Sequence, residues 1–587
     1  MPAGLVAGSL GQDAVAIVVV REGAGGRAAL ADALARLDAP RVLLLGQGVE
    51  LAPDSMEAMC GVLDARPDCG AVGLRLLSPD GRVRQAGGVV WSDGSRCAYG
   101  AGWRDGDPRV LYLREVDYCS GRALLVRRAA LEAIDWPGRA GALDWADVDL
   151  GFALRAAGWQ VVYCPRATAL DPGPRVDLHD DVRGDIVGER GFRERHGDAL
   201  SAQSAPCTRM FRARERSGGR RMVLVVDHYL PRVDRDAGSR AIVQAMDAFR
   251  ALGWQVKFWP ANGARDHHAH ALEDAGIEVV CGEHWEGRFD RLARVAGDEF
   301  DAVVLSRPEQ AETATAHLRA HSRARLLYYG HDLHHARMGM EARLRGDAAL
   351  AKDAMAMRAR ERAIWREVDA VLCPSQEEAA VVSADVGAEK VHVVPLYAFD
   401  EAELAAPRDP GPAARLLFVA GFGHSPNVDA AHWLVDEILP RVRASLPGIG
   451  LDLVGSHPTA AVRALASRPG VELHGDASVE ALAAFYRGAA LAVVPLRAGA
   501  GVKLKVLEAM ARGVPVVTTP VGVQGLPGVE PCVRVGGDAD ALAGAIVGLA
   551  GDPAAAAGLA ASARAWVRTH YGAEGVREAL RKVLAQA

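Results

Sequence analysis

The sequence lacks the cysteine patterns of disulfide-rich proteins and of zinc sites. Its nine cysteines include no C-x-x-C pair, and none stands beside histidines at zinc-ligand spacing. They are scattered and lie mostly within apolar runs. We therefore interpret them as buried free thiols of a protein from a reducing compartment.

Long apolar runs and charge of one sign are also scarce. The formal net charge is -6, without the concentrated basic surface of nucleic-acid binders, so no nucleic-acid partner is expected. No uninterrupted apolar run reaches the roughly 18 residues that span a membrane, and no secretory signal pattern opens the chain. These absences predict a cytoplasmic protein. An acceptor on a lipid carrier would require peripheral association with the inner face of the cytoplasmic membrane.

The composition does support a large core, because hydrophobic residues make up 50% of 587. This length suggests roughly three or four folding units. Two α/β regions flank a polar, arginine-rich stretch between residues 172 and 220, which we interpret as a connecting region. In the first region, short apolar runs predict strands at 15–20, 41–45, 71–76, 110–116, 122–126 and 160–163.

From Met222 onward, strand-like runs alternate with helical segments, which favours parallel sheets wound on both faces. The pattern restarts after Pro395, so two consecutive units with a cleft between their lobes are expected. The residues after 555 look helical. The predicted strands are 222–226, 255–259, 302–305, 325–328, 370–372 and 391–394, then 415–419, 451–454, 471–473, 491–494, 514–518 and 532–535.

The segment 493–519, VVPLRAGAGVKLKVLEAMARGVPVVTT, carries the strongest functional signal. A predicted strand ends at Leu496, two glycines allow a tight turn, and a predicted helix, Val502–Arg512, follows at once. Backbone amides at a helix start suit a diphosphate. Arg497 and Lys503 would add cationic donors, and Glu508 could accept hydrogen bonds from ribose hydroxyls. A surface helix with ordinary Lys and Glu is the alternative interpretation.

Residues 218–570 resemble the retaining glycosyltransferases of family 4, which have the GT-B fold of two Rossmann-like lobes. Five blocks carry the resemblance in family order: 225–240 (VVDHYLPRVDRDAGSR), 326–338 (LLYYGHDLHHARM), 371–382 (VLCPSQEEAAVV), 416–440 (LLFVAGFGHSPNVDAAHWLVDEILP) and 493–519. The resemblance implies that the second lobe holds most of a UDP- or GDP-sugar donor. It also implies that no metal or other cofactor is required.

The same resemblance implies roles for individual residues. Arg497 and Lys503 would neutralise the donor diphosphate and Glu508 would bind ribose, with Gly499 and Gly501 forming the turn. Further candidate residues, all in loops that the family places near the donor, are Gly423 and His424 near the phosphates, His331 near the transferred sugar, and Gly238 in the glycine loop after the first strand.

One departure from the family pattern concerns the E-x7-E motif, whose first glutamate is Ala500 here. In relatives that glutamate meets the donor sugar, so the sugar identity is not fixed by this sequence. A histidine cluster at His331, His334 and His335 could indicate a metal, but a catalytic-site role for His331 is the favoured interpretation. Asp332 could cap the following helix.

The N-terminal region, over residues 40–170, resembles the acceptor half of family 2 glycosyltransferases of GT-A fold. The matching pieces are 72–90, 114–128 and 143–167. Where relatives carry a metal-binding D-x-D-like motif, this chain has Gly46-Gln47-Gly48, which offer poor ligands for Mg²⁺ or Mn²⁺. Asp147 matches the residue that serves as catalytic base in the E-D-x-D motif of these relatives, and Asp149, the second aspartate of that motif, is also present. Either the domain is degenerate and serves docking or assembly, or residual catalysis survives at these two residues.

The sequence therefore predicts an α/β protein with two Rossmann-like lobes preceded by a reduced GT-A-like domain. The predicted division is a truncated GT-A-like domain (1–172), a connecting region (173–217), an acceptor lobe (218–395), a donor lobe (396–570) and a C-terminal helix (571–587). The predicted function is sugar transfer from a UDP- or GDP-sugar to a cell-surface glycan, lipid-linked or protein acceptor. The alternative is a non-catalytic binding or assembly protein, and a sugar-nucleotide 2-epimerase would share the architecture.

Overall fold

The protein is described by a computed structural model that covers residues 5–6, 15–20, 36, 38–134, 146–173, 186–233, 237–285, 287–409 and 414–585. Its contacts divide the chain into two compact units. Unit 1 combines Met1–Met222 with Gln255–Asp301, and unit 2 combines Val223–Trp254 with Ala302–Ala587. The domain boundaries predicted from the sequence stay predictions.

Unit 1 contains a mixed sheet in which both parallel and antiparallel neighbours occur. Strand Arg41–Gly46 pairs in parallel with Val15–Val20 and antiparallel with Ala123–Arg127. Strand Cys69–Leu77 pairs in parallel with Gln160–Leu170. The remaining strands of this sheet are Leu5–Val6, Glu50–Leu51, Val83–Gln85 and Arg114–Glu115. Outside it, Gly88–Val90 pairs antiparallel with Arg96–Ala98, and Gln255–Pro260 pairs in parallel with Glu278–Val279.

Helices Ser55–Ala65 and Ala146–Ala156 cover this sheet through buried apolar residues, Met59 and Leu63 on one side and Leu150 and Leu154 on the other. The helices of unit 1 are Ser55–Ala65, Arg128–Ala133, Ala146–Ala156, Ile186–Ser201, Met210–Ala213, Ala269–Asp274 and Phe289–Ala296. Two of these helices, Ile186–Ser201 and Met210–Ala213, lie within the predicted connecting region. The sequence there has little hydrophobic periodicity and therefore did not predict them. Phe192 of the first packs edge-on against Phe152, and both are buried.

The predicted strand at 110–116 is wrong over most of its length. Residues Pro108–Val110 form a 3₁₀ turn, and only Arg114–Glu115 pair as a strand. The error has a physical reason: Val110, Tyr112 and Val116 are all buried, so their alternation mimics a strand while the backbone between them turns.

Unit 2 contains two parallel sheets, and the strands expected there are present with small differences in length. The first includes Ala302–Ser306, Arg325–Tyr329, Ala370–Cys373 and Val391–Val393, with Met222–Asp227 beside Ala302–Ser306. The second has six strands in the order Val471–Gly475, Gly450–Gly455, Arg415–Val419, Leu491–Val494, Val516–Thr518, Arg534–Val535. Both are Rossmann-like, as the sequence predicted.

Helices alternate with the strands of unit 2, and the last three elements of the chain are helices. The helices of unit 2 are Ala237–Ala251, Pro308–His321, His334–Arg345, Ala348–Glu367, Gln376–Val386, Glu401–Ala405, Ser425–Trp433, Leu439–Ser445, Ala460–Leu465, Val479–Gly488, Leu504–Ala511, Ala539–Gly551, Pro553–Tyr571 and Ala573–Ala585, with a π-helical turn at Leu434–Ile438. The last two helices confirm the helical expectation after residue 555.

Within the described part of the chain, no single helix is long and apolar enough to cross a membrane. The consecutive helices Ala539–Gly551 and Pro553–Tyr571 reach the required length and composition only together, and they are bent by 106° at their junction. All nine cysteines are free, and seven of them are buried, with Cys97 half-buried and Cys207 exposed. The expectation of buried thiols is thus confirmed for most of them.

Candidate active site

The predicted donor loop, residues 495–503, follows strand Leu491–Val494 and leads into helix Leu504–Ala511. The strand has the predicted bounds 491–494 and ends two residues before Leu496, where the motif placed its end, and the helix begins two residues later than predicted. Gly501 has φ 71°, a left-handed conformation that favours glycine. A Cβ added at Gly501 would lie 3.1 Å from the Asp332 Cβ atom. The loop therefore packs closely against the segment after strand Arg325–Tyr329.

Two lysines lie at the start of the helix that follows the donor loop. The Lys503 ammonium donates to the carbonyl oxygens of Ala500, at 2.9 Å, and Gly501. The Lys505 ammonium donates to Asn427 Oδ1 at 2.6 Å. Burial lowers the pKa of Lys503 to about 8, opposed by Asp332 and Glu378, and burial together with Lys503 lowers the pKa of Lys505 to about 7. The two lysine side chains are thus both buried, and they lie close enough for Lys503 to affect the pKa of Lys505.

Arg497 and Glu508 occupy different surroundings from these lysines. The Arg497 guanidinium pairs with Asp429, with 2.9 Å between Nε and Oδ2, and 43% of its side chain is exposed. Glu508 is buried and accepts hydrogen bonds from Arg240 at 2.5 Å and from the Tyr486 hydroxyl at 3.2 Å. The residue predicted to meet ribose is thus already held by two donors.

His331 lies at the carboxyl end of strand Arg325–Tyr329 with φ 67°. Its Nε2 shares a 2.8 Å hydrogen bond with the Ser306 hydroxyl, while Nδ1 is buried without a partner among the described residues. Burial lowers the pKa of His331 to about 4, so the imidazole is neutral at pH 7. Together with Tyr328, Glu361 and Glu378 it lines a small pocket.

Sequence reasoning did not identify the residues that surround His331. Asp227 ends strand Met222–Asp227 and accepts a 2.9 Å hydrogen bond from Arg307 Nε, and Ser306 ends the neighbouring strand Ala302–Ser306. Their place at the carboxyl ends of parallel strands was the available signal. Glu378 was equally missed, and burial raises its pKa to about 7, with Asp332 adding to the shift.

The remaining glycine and histidine candidates lie at two helix starts. Gly423 and His424 lie between strand Arg415–Val419 and helix Ser425–Trp433, as predicted, with His424 at the N-cap position. Gly238 is the second residue of helix Ala237–Ala251 rather than part of a loop. Residues 234–236, which belong to that predicted glycine loop, lie outside the described residues.

The prediction that Asp332 caps the following helix is wrong. Helix His334–Arg345 has Leu333 at the N-cap position, and its first amides, at His334 and His335, donate to the Glu361 carboxylate at 2.9 and 3.1 Å. Asp332 instead accepts a 3.0 Å hydrogen bond from Arg337. A carboxylate from the next helix, Ala348–Glu367, caps this one, and the residues at the helix start do not reveal it.

In unit 1, the two candidate aspartates of the first domain differ in their contacts. Asp149 is buried and accepts hydrogen bonds from Arg195 at 2.7 Å and His196 at 2.8 Å, which ties it to helix Ile186–Ser201. Asp147 has Arg96 at 4.0 Å, and burial raises its pKa, an effect that Arg96 opposes. Asp149 is thus tied to a second helix, whereas the Asp147 carboxylate is held locally by a 2.8 Å hydrogen bond from the Val148 amide.

The strand end predicted to lack metal ligands is filled by an arginine. A Cβ at Gly46 would lie 2.7 Å from the Arg122 guanidinium carbon. Arg122 also donates to Asp171 and, at 3.2 Å, to the Gln47 carbonyl. Among the described residues, two other clusters could geometrically hold an ion, at Asp266–His268 and around Asp452, and neither includes a candidate site residue.

Comparison with known families matches two separate segments of the chain. Residues 6–212 match the family described as glycosyltransferase like family 2, and residues 413–552 match the family described as glycosyl transferases group 1. The chain joins two glycosyltransferase domains. Hereafter the first domain is called the family 2 domain and the second the group 1 domain.

A curated relative resembles part of this two-domain glycosyltransferase. The N-acetylglucosaminyl-diphospho-decaprenol L-rhamnosyltransferase of Mycobacterium tuberculosis (strain CDC 1551 / Oshkosh) is 31% identical over 147 residues, which cover 22% of this chain and 46% of the relative. The same protein of strain ATCC 25618 / H37Rv gives the same values. The chain therefore spans about half the length of the curated relatives that it matches.

Among solved structures, the sucrose-phosphate synthase of Thermosynechococcus elongatus resembles the chain with a TM-score of 0.50 and 21% identity. The likeness covers 62% of this chain and 99% of that protein. At this identity it shows the fold alone. The group 1 domain and the lobe before it thus have the GT-B fold that the sequence predicted.

Proposed function

We propose that the chain transfers a sugar from a UDP- or GDP-sugar, with retained anomeric configuration, to a cell-surface glycan acceptor. The single observation that carries the proposal is the donor loop, where a glycine turn, a helix start and two lysines meet beside His331. Within the described part of the chain, neither Lys503 nor Lys505 forms an ion pair within 4.0 Å. Two enclosed cations without such a partner favour an anionic ligand.

A diphosphate fits this arrangement for electrostatic reasons. Burial and repulsion from Lys503 lower the pKa of Lys505 to about 7, and a bound diphosphate would oppose this shift, because its negative charge favours the protonated lysines. The amides at the start of helix Leu504–Ala511 add donors and the positive end of the helix dipole. Stabilising the leaving diphosphate lowers the barrier to sugar transfer, and this role requires no metal.

The rest of the donor follows from the positions of Glu508 and His331. Glu508 lies about one turn beyond the lysines and would accept the ribose hydroxyls. The neutral imidazole of His331 would lie beside the transferred sugar, and its Nδ1, which has no partner among the described residues, would bond a sugar hydroxyl. Arg497 would serve the diphosphate only after exchanging its contact with Asp429.

The acceptor is proposed more broadly than the donor. The mycobacterial relative is named for a diphospho-decaprenol-linked acceptor, which supports a lipid-linked intermediate of a surface polysaccharide, such as an O-antigen, capsule or exopolysaccharide. A protein acceptor suits the same site. With a lipid-linked acceptor, the protein would work at the inner face of the cytoplasmic membrane.

For the family 2 domain we propose acceptor docking rather than a second metal-dependent transfer. The Arg122 guanidinium lies against Gly46, so a cation fills the strand end where carboxylates would have to hold a metal. Asp149 is tied to helix Ile186–Ser201. Asp147 alone does not form a metal site with the Gly46–Gly48 segment.

The proposal is tested by incubating the purified chain with a panel of UDP- and GDP-sugars and measuring nucleotide release, with and without lipid-linked glycan acceptors. We expect release with one donor and a loss of at least a hundredfold in Lys503→Ala, since a buried charge contact to the leaving group is removed. The matched control is Lys582→Ala, which removes an exposed lysine of the C-terminal helix. Silence across the panel, or an unaffected Lys503→Ala, would contradict the proposal.

A further inference from the structure

The buried carboxylate of Glu508, in helix Leu504–Ala511, accepts a hydrogen bond from Arg240. Arg240 belongs to helix Ala237–Ala251, which follows strand Met222–Asp227 of the first sheet of unit 2. We propose that Arg240 is a positioning residue for the ribose of the donor: it fixes the Glu508 carboxylate so that its free lone pairs face the two ribose hydroxyls. This inference rests on the proposed function, because it assumes that Glu508 meets the ribose.

The contacts of Arg240 leave its guanidinium little freedom. One terminal nitrogen donates to Glu508 at 2.5 Å, and the other donates to Glu403 at 2.9 Å. The guanidinium carbon also lies 5.1 Å from the ring centroid of Phe399, a cation–π distance. Only 17% of the Arg240 side chain is exposed. A planar donor held at both nitrogens sets the position of each carboxylate that it binds.

The second oxygen of Glu508 is fixed independently. The Tyr486 hydroxyl donates to it at 3.2 Å, and Tyr486 is fully buried in helix Val479–Gly488. Burial raises the pKa of Tyr486 well above its usual range, and the Glu508 charge adds to this shift, so the phenol stays protonated and remains a donor. Each oxygen of the carboxylate thus has one defined donor.

Two donors do not saturate the carboxylate. Its oxygens offer about four lone-pair sites, so one site on each oxygen remains. Arg240 and Tyr486 use one each, and a vicinal diol such as the 2′- and 3′-hydroxyls of ribose can use the others. Without Arg240, the carboxylate could rotate and would bind the diol at a greater entropic cost.

This arrangement predicts which ligand groups lose affinity when Arg240 is removed. The diphosphate is bound elsewhere, by the donor loop and its lysines, whereas the diol depends on Glu508. Removal of Arg240 should therefore weaken ligands that carry both hydroxyls and spare ligands that lack them. General damage to the fold would weaken both kinds of ligand alike.

The experiment is calorimetric titration of the full chain with UDP and GDP and with their 2′,3′-dideoxy forms. We expect Arg240→Ala to weaken binding of the preferred ribonucleotide about tenfold and that of the dideoxy form less than about twofold, because hydrogen bonds to charged groups carry such weights. Arg240→Lys, which keeps the charge but not the fork, should show an intermediate loss. Equal losses for the two ligand forms, or no loss, would overturn the inference.

Glu403→Gln is the matched control, because it removes the other ion pair of the same arginine and leaves the contact with Glu508 in place. We expect its preference for the ribonucleotide to equal that of the unsubstituted chain, and a lost preference would contradict the assignment to the Glu508 contact. If Arg240→Ala does not fold, the test rests on Arg240→Lys. An unchanged ratio between its affinities for the ribonucleotide and for the dideoxy form would then overturn the inference. Failure of the unsubstituted chain to bind UDP or GDP would contradict the proposed function instead.

Discussion

At the scale of the residue, His331 combines features that rarely occur together by chance. A non-glycine residue with φ 67° is strained, and such strain concentrates at functional sites. The ring is hydrogen-bonded at Nε2 and unpartnered at the buried Nδ1 among the described residues. The surrounding structure therefore holds a neutral imidazole in a costly position, which is consistent with contact to a polar ligand.

The lowered pKa of His331 predicts a pH-dependent stability. Its pKa in the folded state is about 4, against an ordinary value of 6.5, so the unfolded chain binds the proton first as the pH falls. The contribution of His331 to the free energy of unfolding is fully present above pH 6.5, the pKa of the unfolded state. It is lost progressively as the pH falls from 6.5 to 4. Between pH 7 and pH 5 this group contributes a loss of about 2 kcal/mol.

Denaturant unfolding of the wild type and of His331→Asn at pH 7 and pH 5 measures this contribution. The other histidines are common to both proteins, so their effect cancels in the difference. We expect the variant to lose about 2 kcal/mol less on acidification. An identical pH dependence in the two proteins would show that His331 is protonated as readily in the folded state as in the unfolded one.

Sequence reasoning at the residue scale predicted the donor loop but not the residues that contact it. Lys503 and Glu508 could be found because they follow a glycine turn at a strand–helix junction. Arg240 could not, because its contacts with Glu403 and Glu508 join segments 163 and 268 residues apart in the chain. Glu378 could not either, because its contact with the Leu333 amide joins two different strand–helix segments 45 residues apart. Local patterns carry no record of such pairings.

At the scale of the element, most strands of unit 2 were predictable because buried parallel strands are short apolar runs between helices. The connecting region was not, since the helix Ile186–Ser201 has a polar surface and depends on a few buried contacts, such as Phe192. Asp149 holds this helix through Arg195 and His196. Tertiary contacts rather than periodicity decide its place.

The contrast between the two aspartates of helix Ala146–Ala156 gives a second prediction. Asp149→Ala should destabilise the family 2 domain by about 2 kcal/mol, because it leaves Arg195 and His196 without a buried acceptor. Asp147→Asn should leave stability unchanged or raise it, because burial raises the pKa of Asp147 and so disfavours its charge. Thermal unfolding of both variants checks this. Equal destabilisation by the two substitutions would contradict the separate roles.

At the scale of the whole molecule, unit 1 is held together by a buried ionic cluster. It consists of Arg214, Glu215, Lys257 and Glu278, each at most 3% exposed. Lys257 lies 3.1 Å from Glu278 and also pairs with Glu215, and Arg214 pairs with Glu278. Two of the four cluster members, Arg214 and Glu215, thus come from residues before 218, and the other two come from strands Gln255–Pro260 and Glu278–Val279.

This cluster predicts that the chain cannot be divided at residue 218. A truncated chain of residues 218–587 would keep Lys257 and Glu278 but lose Arg214 and Glu215, and breaking such buried pairs costs about 3–5 kcal/mol each. We expect the truncated chain to be insoluble, or to unfold at a markedly lower temperature than the full chain. In the full chain, Glu215→Ala should lower the unfolding temperature as well. A soluble, equally stable fragment would contradict this prediction.

The central claim is that the donor loop binds the diphosphate of a nucleotide sugar. It is tested most directly by a crystal structure of the full chain soaked with UDP or GDP. We predict diphosphate density within hydrogen-bonding distance of the Lys503 ammonium and of backbone amides in residues 499–504, with the ribose on Glu508. A nucleotide bound away from this loop, or an empty loop at millimolar ligand, would contradict the account.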